Sequence, residues 1–103
     1  MGEELPERFA EPALLILVSL AEGSKHGWAM MEDIEAHTGV RLGPGTLYAA
    51  LARLESRGLV ASLPAQERRR PYELTAEGVR VLRERLDAMA RLSALGLGRL
   101  VLT

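Results

Sequence analysis

The pattern of apolar and polar positions predicts four helices, and the most clearly bounded one lies between Arg41 and Gly58. Four apolar positions recur there every three or four residues and predict a buried face: Leu47, Ala50, Leu51 and Leu54. Gly43 suits the N-cap, and Pro44 suits the first helical position, where a missing N–H costs nothing. Gly58 supplies the left-handed residue that ends a helix. The stretch is therefore predicted to be one amphipathic helix.

The opposite face of this helix lacks the mixture of Glu and Lys that is usual on a solvated surface. It carries small residues, a hydroxyl, a phenol and one arginine: Thr46, Tyr48, Ala49, Ala52 and Arg53. Small side chains let a helix backbone approach another molecule closely, and in a DNA major groove an Ala or Thr methyl can meet the thymine methyl. Two interpretations stay open for this helix alone, a DNA recognition helix and a helix with a second buried face.

Two further helices are predicted before it. Pro12 opens the first, PALLILVSLA, which is apolar on all sides and so needs cover from its own domain and from a second subunit. Gly23 is expected to end it, and residues 24–27 to form a turn. The second helix is expected to run from Gly27 or Trp28 to Thr38, and its inward face to comprise Trp28, Met31 and Ile34, with Met30 as a further candidate. The second and third helices form a helix-turn-helix arrangement.

After the third helix the pattern changes to short segments typical of strands. Residues 59–63 and 70–74 are predicted to form two strands joined by a loop, which makes a hairpin with three arginines near its tip. Pro71 has no N–H to donate and is expected to confine the second strand to an edge. A helix-turn-helix followed directly by a basic hairpin is a winged-helix arrangement.

Thr75 is predicted to cap a long final helix. Apolar residues recur along one side of it at spacings of three and four: Val79, Leu82, Leu86, Met89 and Leu92. Gly96 and Gly98 are expected to fray or end this helix and to leave residues 100–102 as an apolar tail. The predicted fold is mainly α with a small β-hairpin. A partly ordered lead-in (residues 1–10) precedes a winged helix-turn-helix DNA-binding domain (11–74) and a long C-terminal dimerisation helix with its tail (75–103).

The 103-residue chain has a net charge of −1, which alone counts against nucleic-acid binding, but its charges are segregated. Residues 1–40 carry two basic and eight acidic side chains, residues 41–70 six basic and two acidic ones, and residues 71–103 five and four. The basic segment contains the predicted recognition helix and the hairpin. The sequence therefore predicts one localised surface for an anionic partner.

Composition excludes several classes of function. The chain has no cysteine, so it has no disulfide, thiolate metal site or cysteine nucleophile. The longest apolar stretch, residues 13–21, is too short to span a bilayer, and acidic residues precede it where a signal peptide is positive, so a cytoplasmic protein without membrane contact is expected. His26 and His37 form no metal-ligand pattern. No nucleophile with an oriented base is present, and no enzyme activity, cofactor or metal site is predicted.

The candidates for DNA contact in the hairpin and the third helix each have a plainer interpretation. Arg68, Arg69 and Arg70 are either phosphate contacts, which we favour, or a solvated hairpin tip. Tyr48 is either a half-buried ring or a hydrogen-bond donor to phosphate, and both can hold together.

Four other cationic or titratable side chains are candidates with competing partners. Arg41 and Arg53 can contact DNA, or they can pair with Glu55 or another acid at the surface. His26 is expected at the start of a helix, where it and Lys25 can touch phosphate.

Three segments resemble the PadR-like winged-helix transcriptional regulators: EPALLILVSLAEGSKHGWAM at residues 11–30, LGPGTLYAALARLESRGLV at 42–60 and RRRPYELTAEG at 68–78. The middle segment is the most specific, because GTLY followed by a leucine-spaced helix and GL is the family's strongest local pattern. The resemblance extends from Glu11 to about Leu92. Ala49 stands where many relatives have proline, Trp28 where tyrosine is common and Met30 where an aliphatic residue is common; these departures do not threaten the fold.

The resemblance implies a homodimeric repressor of bacterial or archaeal type that binds an operator through its third helix and wing and dimerises through its last helix. It also implies that Gly45, Thr46 and Tyr48, at the start of the recognition helix, lie close to the DNA backbone, and that residues 68–70 form the basic wing. The predicted DNA-binding residues are Lys25, His26, Arg41, Pro44, Gly45, Thr46, Tyr48, Ala49, Arg53, Arg68, Arg69 and Arg70. The predicted dimer interface comprises Leu14, Leu17, Val18, Leu82, Leu86, Met89 and Leu92.

Two functions therefore remain under consideration. The first is a sequence-specific regulator of transcription that binds double-stranded DNA as a homodimer on an inverted-repeat operator, and the second is a winged-helix protein-interaction module without DNA binding. The basic wing beside a small-residue helix face favours the first, because an interaction module more often exposes an aliphatic or aromatic patch there. A small apolar effector is a further candidate partner, held in a dimer pocket lined by Leu86, Met89 and the first helix.

Overall fold

The computed structural model describes residues 11–102, so the predicted lead-in of residues 1–10 and the final Thr103 lie outside the described residues. Over the described range the chain alternates helices with short strands. The elements are helix α1 (Pro12–Leu20), strand β1 (Lys25–His26), helices α2 (Gly27–Thr38) and α3 (Pro44–Ser56), strands β2 (Val60–Ser62) and β3 (Pro71–Leu74), and helix α4 (Ala76–Val101). This order confirms a mainly helical winged helix-turn-helix followed by a long C-terminal helix.

Local capping signals set the ends of the two helices of the helix-turn-helix. α2 ends at Gly39, whose φ of 76° is left-handed. α3 begins after the extended N-cap Gly43 with Pro44 in its first turn, as predicted. Gly58 follows its last turn with a φ of 75°. The boundaries of α3 therefore agree with the sequence to within two residues.

The hydrophobic core lies where α1, α2 and α3 meet, and β2 and the start of α4 close it. The largest fully buried side chains are Ile16, Leu17, Met30, Leu47, Leu51 and Val60. Ser19 is buried among them, and its hydroxyl donates to the Asp33 carboxylate at 2.6 Å. Among the described residues no buried side-chain nitrogen or oxygen lacks a hydrogen-bond partner. The core is therefore apolar with its few polar groups satisfied.

The sheet has three strands and not the two of the predicted hairpin. Its order is β1-β3-β2 with both pairings antiparallel. The expected turn at residues 24–27 thus contains β1, in which Lys25 pairs with Tyr72 and His26 with Pro71. The prediction that Pro71 confines its strand to an edge is wrong, since β3 is central. Pro71 is tolerated there because it is the first residue of β3, and its carbonyl accepts from the Leu63 N–H at 2.8 Å.

The inward face of α2 differs in part from the prediction. Trp28 is 61% exposed, whereas Met30 is fully buried and Ile34 is 3% exposed. Gly27, Met30 and Ile34 share the face that meets the core, and one residue along a helix turns the side chain by about 100°. Trp28 therefore points away from the core.

The first helix is covered by its own domain to a greater extent than expected. Leu14 and Leu17 are 8% and 1% exposed, and Leu82 of α4 is 5% exposed. The prediction that these three residues present a surface to a second subunit is wrong, because the protomer already buries them. α1 also ends at Leu20 and not at Gly23. Val18, which is 47% exposed, is the predicted interface residue of α1 that remains accessible.

α4 is anchored at its N-terminal end and projects from the domain over most of its length. The Thr75 hydroxyl caps the helix by accepting from the Gly78 N–H at 3.0 Å, and it donates to the Gly58 carbonyl at 2.6 Å. Gly78 and Leu82 are the buried residues of the 26-residue helix. At 1.5 Å per residue such a helix is about 39 Å long, and the described part of the molecule extends 56 Å along its longest axis.

The two glycines near the end of α4 do not terminate it. The helix passes through Gly96 and Gly98 and continues to Val101, so most of the expected apolar tail is helical. A glycine inside a helix costs only about 1 kcal/mol relative to alanine, and the surrounding leucines and alanines are good helix formers. The outcome is a helix whose last turns expose a series of large apolar residues: Leu92, Leu95, Leu97, Leu100 and Val101.

Candidate nucleic-acid interface

α3 presents one buried and one solvent-exposed face, and the division follows the predicted pattern. Its inward residues are at most 3% exposed: Leu47, Ala50, Leu51 and Leu54. Its outward residues are all exposed: Thr46, Tyr48, Ala49, Ala52 and Arg53. Gly45 in the first turn is also exposed, with no atom within 4 Å of a side chain built there. The interpretation of this face as a second buried surface is therefore wrong for the protomer.

The segment from β2 to β3, residues 60–74, forms the wing, and its tip is a tight turn. The Gln66 N–H donates to the Arg69 carbonyl at 2.7 Å, and the Arg69 N–H donates to the Gln66 carbonyl at 2.8 Å. Between them Glu67 and Arg68 have positive φ values of 50° and 69°. Two consecutive positive φ values across a two-residue loop are those of a type I′ turn. The turn exposes all three arginines of residues 68–70.

An open cleft of about 290 Å³, the wing cleft, lies between the wing, the start of α2 and α3. Its lining contains most of the predicted polar contacts to DNA together with three residues that were not predicted. The lining residues are His26, Gly27, Trp28, Tyr48, Arg68, Arg69, Arg70 and Tyr72. Folding thus brings His26 and Arg69 together although they are 43 residues apart in sequence.

Two phenols line the wing cleft. The Tyr48 ring lies on Gly27, where an added methyl group would overlap the phenol hydroxyl, and it is 47% exposed. The half-buried ring expected for Tyr48 is therefore present. Burial raises the pKa of the Tyr72 phenol, the charges of Glu55 and Tyr48 raise it further, and Arg70 opposes them. Tyr72 therefore stays protonated at neutral pH.

Several cations at this surface have no acidic partner. Arg53, Arg68 and Arg70 form no ion pair with any of residues 11–102. The Arg69 guanidinium contacts the His26 imidazole at 3.3 Å and likewise has no carboxylate partner in that range. An exposed cluster of unneutralised guanidinium groups beside a small-residue helix face is suited to an anionic polymer.

Arg41 differs from these cations because it is already paired. Its guanidinium donates to the Glu35 carboxylate at 3.0 and 2.8 Å, and this contact raises the pKa of Arg41. The acid that neutralises it is Glu35 and not Glu55, which instead accepts from the Ser62 hydroxyl at 3.1 Å. Contact between Arg41 and DNA stays a prediction.

Lys25 is turned into the protein. Its side chain is 14% exposed, and its ammonium donates to the Ser19 carbonyl and lies 2.7 Å from Glu22 and 3.8 Å from Asp33. The prediction that Lys25 contacts phosphate is therefore wrong for this arrangement. Its neighbour His26 faces the other way and lines the wing cleft, because successive residues of a strand point to opposite sides.

Trp28 and Tyr72 were not among the predicted site residues, although both line the wing cleft. For Tyr72 a signal exists in the sequence, since it follows the wing arginines by two residues and period-two alternation places residues 70 and 72 on one face of the strand. For Trp28 no local signal exists, because an aromatic residue at a helix start is more often part of the core.

The predicted dimer residues that remain accessible lie on α1 and α4. Val18 is 47% exposed, Leu86 41%, Met89 47% and Leu92 71%. Val18 lines an open groove between α1 and α2, and Leu86 lines a cleft of about 290 Å³ with Leu74, Val79 and Leu82. Binding of a small apolar effector stays a prediction; the cleft beside Leu86 offers an apolar lining for one.

Two features are absent from the part of the chain that the structure describes. Within residues 11–102 no group of three or more acidic or histidine side chains is arranged to hold a metal ion. Over the same range no helix is both long enough and apolar enough to cross a membrane.

The fold and the wing cleft define a winged-helix protein with a basic surface beside its exposed helix. The Transcriptional regulator PadR-like family matches this chain over residues 16–84, more than half of its length, and the chain belongs to that family. It is thus a transcriptional regulator of the winged-helix type and not an enzyme, and the sequence-based recognition of the family is confirmed.

Individual relatives agree with this assignment. The chain is 36% identical over 88 residues to the transcriptional regulator Rv3488 of Mycobacterium tuberculosis, which covers 82% of this chain and 81% of that protein. It is 46% identical over 86 residues to an uncharacterized 37.1 kDa protein in transposon TN4556 of Streptomyces fradiae, 84% of this chain but only 25% of that protein. The chain therefore spans a quarter of the length of that relative.

A solved structure gives the same result for the fold. The structure of a PadR family transcription regulator from hypervirulent Clostridium difficile R20291 is similar to this chain with a TM-score of 0.77. The two sequences are 26% identical, and the similarity covers 86% of this chain and 97% of that chain.

Proposed function

We propose that this regulator binds double-stranded DNA sequence-specifically, as a homodimeric repressor on an inverted-repeat operator. The observation that carries the proposal is the wing cleft, where guanidinium groups without acidic partners flank the exposed, small-residue face of α3. A protein that binds DNA needs cations to neutralise phosphates and a helix slim enough to enter the major groove. This surface supplies both side by side.

Base readout in this proposal belongs to the exposed face of α3. Thr46, Ala49 and Ala52 are small and exposed, so the helix backbone can approach base edges and their methyl groups can meet thymine. Arg53 lies one turn beyond Ala49 and is exposed, without an acidic partner among the described residues, which suits a bidentate contact to guanine. These residues are expected to determine which sequence is preferred.

Phosphate contacts belong to the wing and to the first turn of α3. Arg68–Arg70 are exposed and unneutralised, and they contribute affinity on any sequence. The first backbone N–H of α3 that donates within the helix is that of Leu47, to the Gly43 carbonyl at 3.0 Å. The N–H groups of Gly45 and Thr46 therefore remain available to a phosphate at this helix N-terminus. Pro44 contributes by fixing the backbone there.

Dimerisation is proposed because α4 exposes an apolar surface that a monomer in water would not retain. Leu86, Met89 and Leu92 lie on the protruding part of the helix and are 41%, 47% and 71% exposed. Val18 of α1 is a further exposed apolar residue, and a second copy that packs on α4 can cover it. Two-fold symmetry then sets two copies of α3 and the wing on one face, as an inverted repeat requires.

Repression follows when the bound dimer occupies its operator. A dimer that holds two adjacent half-sites covers the DNA that another protein needs in order to bind. Such a regulator acts in the cytoplasm, where bacterial and archaeal DNA is found. The competing function, a protein-interaction module, draws support from the exposed rings of Trp28 and Tyr48, but it assigns no role to the wing arginines.

The test is selection of bound sites from random duplex DNA, followed by salt titrations with the selected duplex. We expect an inverted repeat with half-sites about one helical turn, or a multiple of it, apart. Replacing Arg68, Arg69 and Arg70 together by Ala should lower the slope of log affinity against log salt concentration by about one unit or less per residue. Binding to all DNA sequences should weaken by the same factor. Failure to enrich any sequence, with no salt-dependent binding to duplex DNA, would reject the proposal in favour of the interaction module.

Dimerisation is tested separately. Leu86→Asp with Met89→Asp places two carboxylates on the exposed apolar surface of α4. Each lost leucine-sized contact costs about 1.5–3 kcal/mol. Sedimentation should then show monomers, and the monomer should lose specific binding although every DNA-facing residue is present. A monomeric variant that keeps full operator affinity would contradict the coupling between dimerisation and DNA binding.

A further inference from the structure

His26 presents both of its ring nitrogens to hydrogen-bond donors. Its Nδ1 lies 3.4 Å from the backbone nitrogen of Ala29 and caps α2. Its Nε2 lies 3.3 Å from Nη1 of Arg69 at the wing tip. A backbone N–H and a guanidinium can only donate, so two donors meet one imidazole.

No protonation state of His26 satisfies both neighbours. A neutral imidazole has one acceptor nitrogen and one N–H. If Nδ1 accepts from Ala29, then Nε2 carries the proton and faces the Arg69 guanidinium as a second donor. If Nε2 accepts from Arg69, then Nδ1 carries the proton and the cap of α2 is lost. A doubly protonated ring donates at both nitrogens and conflicts with both neighbours.

An anionic oxygen beside His26 and Arg69 removes this conflict, because it accepts from the Nε2–H and from the guanidinium at once. The cap of α2 is then retained on Nδ1. The surroundings favour an anion, since Arg68 and Arg70 line the same cleft and have no acidic partner among the described residues. The acid at the wing tip is Glu67, which borders a second opening together with His26 and Arg69.

The pairing of β1 with β3 brings the backbones of the two donor residues close together. His26 pairs with Pro71 across β1 and β3, and Pro71 is two residues from Arg69. The imidazole is therefore attached both to the wing and, through its cap, to the first turn of α2.

We propose that the Nε2–H of His26 and the guanidinium of Arg69 hold one and the same DNA phosphate, with the N-cap of α2 selecting the tautomer. This inference rests on the proposed function and adds to it a specific phosphate site that joins the wing to α2. Because phosphates occur in every sequence, the site contributes equally to specific and non-specific binding. His26 contributes there the N–H of its imidazole, and Arg69 contributes the positive charge of its guanidinium.

The tautomer is tested first, in the free protein. Long-range nitrogen–proton NMR spectra distinguish a ring protonated at Nε2 from one protonated at Nδ1, and His37 in the same spectrum serves as an internal reference. We expect the Nε2–H form for His26. A ring protonated at Nδ1 would overturn the inference, since the cap would then be absent and Nε2 would have no proton to donate.

The phosphate contact is tested with two substitutions that separate the roles of the two nitrogens. His26→Asn keeps an acceptor at the position of Nδ1, as a good N-cap residue, but removes the distal donor. His26→Gln keeps an amide donor further out on the side chain. With a charge-assisted hydrogen bond lost, His26→Asn should bind about tenfold more weakly than wild type. His26→Gln should bind more tightly than His26→Asn, and His37→Asn, far from the wing cleft, should bind as wild type.

Two duplexes are titrated, the site selected from random DNA and a mixed-sequence duplex of the same length. The affinity of His26→Asn should fall by the same factor on both. Arg69→Gln should also weaken both. The double variant should be weaker than either single variant by much less than the product of the two factors, because the two donors share one phosphate. Melting temperatures confirm that each variant is folded.

The outcomes separate this inference from the function on which it rests. Salt-dependent binding by wild type together with unchanged binding by His26→Asn would overturn the shared phosphate site and leave the DNA-binding proposal standing. Additive losses in the double variant would also overturn it, since two separate contacts add. A wild-type protein that binds neither duplex would reject both.

Discussion

The phenol of Tyr48 on α3 lies directly on Gly27 in the first turn of α2. A methyl group at position 27 would overlap the Tyr48 hydroxyl and its ring carbon Cζ, and it would come within 3.1 Å of the Leu47 side chain. Gly27 is itself buried. The close approach of α2 and α3 at the wing cleft therefore depends on the lack of a side chain at this position.

Gly27→Ala is expected to push the Tyr48 phenol toward solvent and to weaken duplex binding. Overpacking costs about 1–3 kcal/mol, and we expect the low end of this range because the Tyr48 ring is half exposed and can move. In a Tyr48→Ala background most of the cost should disappear. Urea unfolding of wild type, Gly27→Ala, Tyr48→Ala and the double variant measures this cost in free energy of unfolding. An equal cost in both backgrounds would mean that the phenol is not what the methyl group meets.

Gly78→Ala is expected to destabilise the fold strongly. A methyl group there would overlap the backbone carbonyl of Leu59, which cannot swing aside as a side-chain tip can. The expected loss is about 2 kcal/mol or more, despite the better helix propensity of alanine. Gly96→Ala in the same helix is the matched control, since no atom lies within 4 Å of its added methyl. It should be stabilising by about 0.5–1 kcal/mol in thermal unfolding. Equal effects at the two positions would contradict the close packing at Gly78.

Glu67→Asn is expected to increase the affinity for DNA of any sequence. Glu67 is an acid at the tip of the wing with a φ of 50°, a conformation that asparagine adopts more readily than glutamate. The substitution removes a charge that repels phosphate and eases the type I′ turn. The gain should be largest at low salt and fade as salt screens it. Asp87→Asn changes the net charge equally on α4 and should leave DNA affinity unchanged. A similar gain in both variants would point to net charge and not to the wing.

Glu11→Gln is expected to lower stability slightly at neutral pH. Two contacts of 3.2 and 3.0 Å join the Glu11 carboxylate to the Arg85 guanidinium, and this hydrogen bonding holds the pKa of Glu11 below its ordinary value of 4.5. A lowered folded-state pKa means that the contribution is complete above the ordinary pKa and is lost as pH falls through the folded value. Both side chains are substantially exposed, so the contribution is about 0.2–1 kcal/mol.

The measurement is urea unfolding of wild type and Glu11→Gln between neutral pH and acid. The difference in free energy of unfolding should shrink as pH falls below 4.5. Glu32→Gln, at a position without an ion pair among residues 11–102, controls for the loss of one negative charge. A difference that grows toward acid pH would contradict the assigned role of Arg85.

The sequence by itself determined the presence of the four helices, the ends of α3, the start of α4 and the two faces of α3. Gly43 and Pro44 mark the start of α3, and Thr75 marks that of α4, through hydrogen bonds and φ preferences that involve only residues a few positions away. The buried and exposed positions of α3 follow from a period of 3.6 residues, which is equally local. The family resemblance followed from the same segments. Features that depend on near neighbours can be predicted from sequence.

The tertiary structure alone decided which partners distant residues have. The strand β1 exists because residues 25–26 meet β3 more than forty positions later, and no local pattern marks a strand so short. Trp28 points outward because Gly27 and Met30 take the face of α2 that meets the core. Lys25 turns inward to the Ser19 carbonyl and the carboxylates near it, whereas its neighbour His26 meets Arg69. The wing cleft consists of such contacts, and its chemistry appears only when the folded chain has brought its parts together.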